Sequence, residues 1–133
     1  MYATIADMRS RLGKRSDELY EPPADYLIEQ DLIAAGAEID GALARRYVVP
    51  IAAAQALPLL RHWTLTLAEE MAWSRVGFDR IPEEVATRVE NVRKLLALYA
   101  TNERVIPGAA TAESTAVVAG EDRIFTPDSL QGY

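Results

Sequence analysis

The stretch PEEVATRVENVRKLLALY, residues 82–99, decides the fold class. Val85, Val89, Val92, Leu96 and Tyr99 recur at alternating spacings of four and three, the repeat of one buried helix stripe. Pro82 suits a helix start, because a first-turn residue needs no N–H partner there. Glu83 and Glu84 then place carboxylates where the helix dipole favours them. Glu84–Arg88 and Glu90–Lys94 are acid-before-base pairs four residues apart, each adding about 0.2–0.5 kcal/mol.

The same logic extends toward the N-terminus. Pro58 opens a helix to about Val76, with Leu60, Trp63, Leu67 and Met71 as its buried stripe and Gly77 as its stop. Before it, Tyr47 to Leu57 reads as a loop containing Pro50 and an alanine-rich stretch. A long helix is predicted from Pro22-Pro23 to about Arg46. Ile28, Leu32, Ala35, Ile39 and Leu43 form its apolar face, and Glu29, Glu38 and Arg45 the opposite one. Gly36 and Gly41 inside this helix each cost about 1 kcal/mol relative to alanine, and close approach of a neighbouring helix is the reason expected for them. Thr4, with Asp7 three residues on, predicts a capped short helix ending at Leu12-Gly13, with Ile5, Met8 and Leu12 on one side.

After Glu103 the character changes. Val105 to Gly120 is rich in Ala, Thr, Val, Ser and Gly and carries no helical stripe. Thr115 to Ala119 suits either a short strand or a flexible arm. Ile124, Phe125, Leu130 and Tyr133 then put apolar residues at the end, more than a solvated linker needs. The predicted fold is therefore mainly α: a small bundle of about four helices (residues 1–104) with an extended C-terminal tail or short strand (residues 105–133). The tail is expected to dock on its own bundle or on a neighbouring subunit.

Composition narrows the chemistry. At 133 residues and 50% hydrophobic, the chain is one domain's length with enough apolar mass for a core. It has no cysteine, which removes disulfides and thiolate chemistry. No apolar run approaches the roughly 20 residues of a membrane span, and residues 1–14 lack a signal-peptide block, so the chain reads as intracellular. The net charge is −6. Lys and Arg are scattered, and the one grouping of length, Arg9, Arg11, Lys14 and Arg15, reads as a solvated helix end rather than a phosphate grip.

Catalytic and ligand motifs fail one by one. The single histidine, His62, has Glu69 and Glu70 two turns away, out of direct reach, and reads as an ordinary boundary residue. Asp17-Glu18 and Glu69-Glu70 are adjacent pairs that diverge by about 100° on a helix, so neither makes a joint site. No metal-ligand spacing, calcium loop, phosphate-binding loop or nucleophile elbow is present. Tyr2, Tyr20, Tyr26 and Tyr47 read as core or interface residues rather than a stacking platform for single-stranded nucleic acid, given the acidic balance. The expectation is a protein that is not an enzyme and has no catalytic residues, no cofactor and no metal.

The layout resembles the head–tail connector (head-completion or adaptor) family of Mu-like phages and prophages. The resemblance is carried by the opening MYATIADM, by AEIDGALARRY at 37–47 with the following Pro50, by the hydrophobic third helix, by VGFDRIPEEV at 76–85, and by DRIFTPDSLQGY at 122–133. The Ala-Glu-Ile-Asp to Tyr-Pro element, followed at this distance by the Pro-Glu-Glu-Val helix, is its most specific part. The loop after the first helix (Gly13 to Glu21) is short for the family, and the tail is longer than a bare bundle needs.

The resemblance implies a structural virion subunit that forms a ring below the portal, contacts portal and tail or stopper proteins, and lets DNA pass without specific binding. It would be found in the host cytoplasm during assembly and then at the head–tail interface. Its interface candidates are Trp73 and Phe78, at the third helix's end and in the turn beyond it, together with Ile124, Phe125, Leu130 and Tyr133. Two alternatives belong to other classes. One is a non-catalytic helical adaptor or assembly protein that binds another protein through its tail. The other is a nucleic-acid-binding packaging subunit, whose nearest recognition element, Met8 to Lys14, is too short.

Overall fold

A computed structural model describes residues 2–20, 25–101 and 103–111, Phe78 by its backbone alone. Among these residues the chain is mainly helical, with five α-helices: α1 (Ile5–Leu12), α2 (Arg15–Leu19), α3 (Asp25–Leu43), α4 (Leu57–Val76) and α5 (Glu83–Ala100). The helical bundle expected from the periodicity is present, with one short helix more than the pattern shows. The two prolines expected to open α3 and the residues beyond Thr111, including the strand expected at Thr115 to Ala119, lie outside the described residues.

Local chemistry sets the ends. The Thr4 hydroxyl accepts from the Asp7 N–H at 3.1 Å, and the Asp7 carboxylate accepts from the Thr4 N–H at 2.9 Å, a complete capping box. That bond holds the Asp7 carboxyl below its usual range. Gly13 closes α1 at φ 61°, a backbone shape that glycine adopts without strain. The turn into α2 follows directly, and Ser16 and Leu19 are buried beneath it.

The bundle is built around α4, which packs on both α3 and α5, while α1 and α2 cover one side. The sequence predicts one buried stripe on α4, but every residue from Trp63 to Glu69 is buried. A central helix has neighbours all round, so a single face cannot describe it. Its hidden hydroxyls stay satisfied. Thr64 donates to the Leu60 carbonyl at 2.7 Å and Thr66 to the His62 carbonyl at 2.9 Å. From α5, Val85, Val89, Val92 and Leu96 enter the core, and the Tyr99 ring meets Trp63 edge-on at 5.2 Å. No helix of the described residues is long and apolar enough to cross a membrane.

The described part of the segment after α5 runs back over the bundle. Ile106 is fully buried, and its N–H donates to the Tyr47 hydroxyl at 3.1 Å. Val48 N–H donates to the Ala110 carbonyl at 2.9 Å, and Tyr47 and Thr111 form an isolated antiparallel bridge. Gly108, at φ 72°, makes the turn, where a Cβ would stand 2.6 Å from the Gln55 side chain. The Arg46 guanidinium fastens the junction by donating to the Tyr99 and Arg104 carbonyls, and it lies 5.0 Å over the Tyr47 ring.

The glycines of α3 do not mark a close helix approach. A Cβ at Gly41 would meet nothing within 4 Å, and one at Gly36 would come no nearer than 4.0 Å to the Tyr2 ring. Gly41→Ala is therefore expected to raise stability by up to about 1 kcal/mol, read from the urea midpoint. A loss of stability would show that the space at Gly41 is not free in solution.

Candidate functional site

Charged and hydroxyl side chains form four stitches between elements. Asp31, buried on α3, accepts both terminal nitrogens of Arg75 of α4 at 2.8 and 2.7 Å and the Tyr20 hydroxyl at 2.5 Å. The Arg75 guanidinium also lies 5.1 Å over the Tyr20 ring. Burial, then the bond to Asp31, pushes the Tyr20 phenol well above its ordinary value. Glu69, buried on α4, stands 3.4 Å from Arg11 Nε of α1 and 3.4 Å from Arg88 Nη2 of α5. Arg88 thus reaches Glu69 rather than serving the helix-surface pair expected with Glu84, whereas Lys94 does meet Glu90 at 3.7 Å.

On the outer side, Arg93 of α5 bridges Glu38 of α3 at 2.9 Å and Glu70 of α4 at 3.0 Å. Glu69 and Glu70 turn to different partners, as adjacent helix positions require. The fourth stitch is Tyr2. Its hydroxyl donates to Asp40 at 2.5 Å and accepts from the Ile51 N–H at 2.8 Å, tying the N-terminus to α3 and to the loop after Pro50. Burial first, then Asp40, raises this phenol as well.

His62 lies exposed on α4, and partial burial followed by the charges of Arg11 and Arg88 lowers its pKa. No group of three or more His, Asp or Glu side chains among the described residues is placed to hold a metal ion.

What the stitches leave is a surface on α3. Sequence spacing assigns Glu38 to a polar outer face, but Glu38 turns to Arg93 of α5. From Gln30 to Gly41 the exposed residues of α3 are Gln30, Ile33, Ala34, Ala37 and Gly41, and none is charged. The exposed side of α5, by contrast, carries Glu83, Glu84, Glu90, Arg93 and Lys94. Beside the uncharged α3 face lies an open hollow of about 280 Å³, lined by Tyr2, Leu32, Ile33, Gly36, Ala37, Asp40 and Pro50. Ile33 is 55% exposed at its edge. The signal was in the sequence: beyond Glu29, positions 30, 33, 34, 37 and 41 carry no charge beside the core stripe.

Of the residues singled out from sequence as interface candidates, Trp73 is not among those lining the hollow. Trp73 is half-buried against the core, with the Arg15 guanidinium 6.0 Å over its ring. Phe78 begins a single 3₁₀ turn, Phe78–Arg80, after α4. Ile124, Phe125, Leu130 and Tyr133 lie outside the described residues.

Fold and site together define a small helical bundle whose Asp31 and Glu69 carboxylates pair with arginines of neighbouring helices, and whose exposed α3 residues from Gln30 to Gly41 carry no charge beside the hollow. The chain belongs to the bacteriophage Mu Gp36 family, whose profile matches residues 2–123. It is a Mu-like phage protein of the structural or assembly-related kind. The match takes in Asp122 and Arg123 of the quoted C-terminal motif and stops before Ile124. A comparison with curated proteins returned no match.

Proposed function

We propose that this protein is a head–tail connector subunit of a Mu-like phage. Copies assemble as a ring below the portal, present a surface to tail or stopper proteins, and leave a passage for DNA. The protein works in the host cytoplasm during assembly and afterwards at the head–tail interface of the virion. It acts through contacts alone and takes no cofactor.

The observation that carries this reading is the uncharged face of α3 with its hollow, in a chain of the Gp36 family. A solvated helix face ordinarily bears charge, whereas here Ile33 stands exposed beside the hollow. A subunit in a closed ring needs two different contact patches that meet head to tail. The net charge of −6 supports the passage of DNA, because an acidic ring does not hold a polyanion.

The test is cosedimentation of the full-length protein with portal rings of the same phage. A saturable shift of the protein into the portal fraction is expected. Protein that remains in the supernatant at every concentration, while folded by circular dichroism, would overturn the proposal. Capture by another phage protein instead would favour an adaptor working elsewhere in assembly.

A further inference from the structure

We infer that the hollow beside α3 receives the C-terminal segment of a second copy of this chain, with Ile124 and Phe125 in the hollow and Arg123 at Asp40. The inference rests on the ring reading and names the contact that would build the ring.

The hollow, of about 280 Å³, stands at the lower bound of the roughly 300–1,000 Å³ of ligand clefts. It suits one or two apolar side chains. Its walls are Leu32, Ile33, Ala37 and Pro50, and Asp40 is the only charged residue among those lining it. An occupant should therefore be apolar with a cation beside it. Arg123-Ile124-Phe125 has that order, and Phe125 is the first aromatic residue after Thr111.

Chain length permits the segment to reach the next copy. The described chain is pinned where Thr111 bridges Tyr47, three residues before Pro50 on the rim of the hollow. Three residues span at most about 11 Å. Ile124 lies 13 positions beyond Thr111 (124 − 111), a reach of about 43–47 Å when extended. A domain of this size has a radius of gyration near 13 Å and so a diameter of roughly 34 Å. The spacer is long enough for the step to the same hollow on a neighbour, and the ring reading makes that neighbour the recipient. A segment given by each copy to the next is a head-to-tail contact, the kind that closes a ring by rotation.

The chain has no cysteine, so single introduced thiols can report the contact. Full-length Ala37→Cys protein is mixed with differently tagged full-length Phe125→Cys protein under mild oxidation, alone and with portal rings. Ala86→Cys, exposed on α5, replaces Ala37→Cys as the control.

In at least one of the two conditions, the disulfide-linked heterodimer should form at least tenfold faster with Ala37→Cys than with the control. Adding Arg123→Glu to the Phe125→Cys protein should slow it several-fold. Equal rates for the two pairs in both conditions would overturn the hollow as the docking place. Rapid closure within a single chain carrying both thiols, with no selective link between chains, would overturn the second copy as the source. Portal cosedimentation of the same variants keeps the readings apart, since binding without a selective cross-link would sink only this inference.

Discussion

Trp63→Ala is expected to cost roughly 3–5 kcal/mol of stability. Trp63 is fully buried on α4 and packs edge-on against Tyr99 of α5, so its removal empties the seam between these helices. Closing that gap would require α4 to shift, yet α4 is also held by α3 on another side. Because a domain of this kind has only about 5–15 kcal/mol in total, the variant should unfold at a far lower urea concentration. The midpoint is best read by far-UV circular dichroism, since the substitution removes one of the two tryptophans. His62→Ala is the internal control: one residue away but exposed, it should change stability by no more than about 0.5 kcal/mol. Similar losses for the two variants would contradict the placement of α4 at the centre of the bundle.

Asp31→Ala is expected to cost about 2–4 kcal/mol, because it strands the partners of a buried carboxylate. Arg75 would lose a two-pronged charged bond, and the buried Tyr20 hydroxyl would lose its acceptor. Arg75 keeps access to water, with 37% of its side chain exposed, which holds the cost below that of a fully enclosed pair. Asp31→Asn should cost less, since an amide oxygen still accepts one bond. Combining Asp31→Ala with Arg75→Ala should give less than the sum of the separate losses, by at least about 1 kcal/mol, as residues in one network do. Strict additivity in urea denaturation would show that the pair does not interact in solution.

These two substitutions mark the division between what the sequence reveals and what it hides. The stripes of α4 and α5 are legible because apolar residues repeat with the helix period and Pro82 and Gly77 mark ends. Trp63 and Val85 to Tyr99 follow from that pattern alone. Asp31 does not, because its partner lies 44 positions away and no local rule links Asp31 to Arg75. The same holds for Glu38, whose apparent place on a solvated face depends on ignoring Arg93, 55 positions on. The short helix α2 was hidden for another reason. Five residues cannot show a period, and no side chain caps the start of Arg15–Leu19.

The candidate surface was legible in part. Residues 30, 33, 34, 37 and 41 carry no charge in the sequence, but their meaning depends on where Glu38 turns and on the loop that brings Pro50 beside Ala37. Both are tertiary facts. The tail illustrates the reverse. Its apolar excess is visible in the sequence, whereas the burial of Ile106 in the core, with its N–H held by the hydroxyl of Tyr47 59 positions earlier, is not.

Electron microscopy of portal rings incubated with the full-length protein tests the proposed connector role most directly. The expected result is an added layer of density on one end of the portal, with an open channel on the shared axis. Bare portals beside protein that is folded and in excess would contradict it.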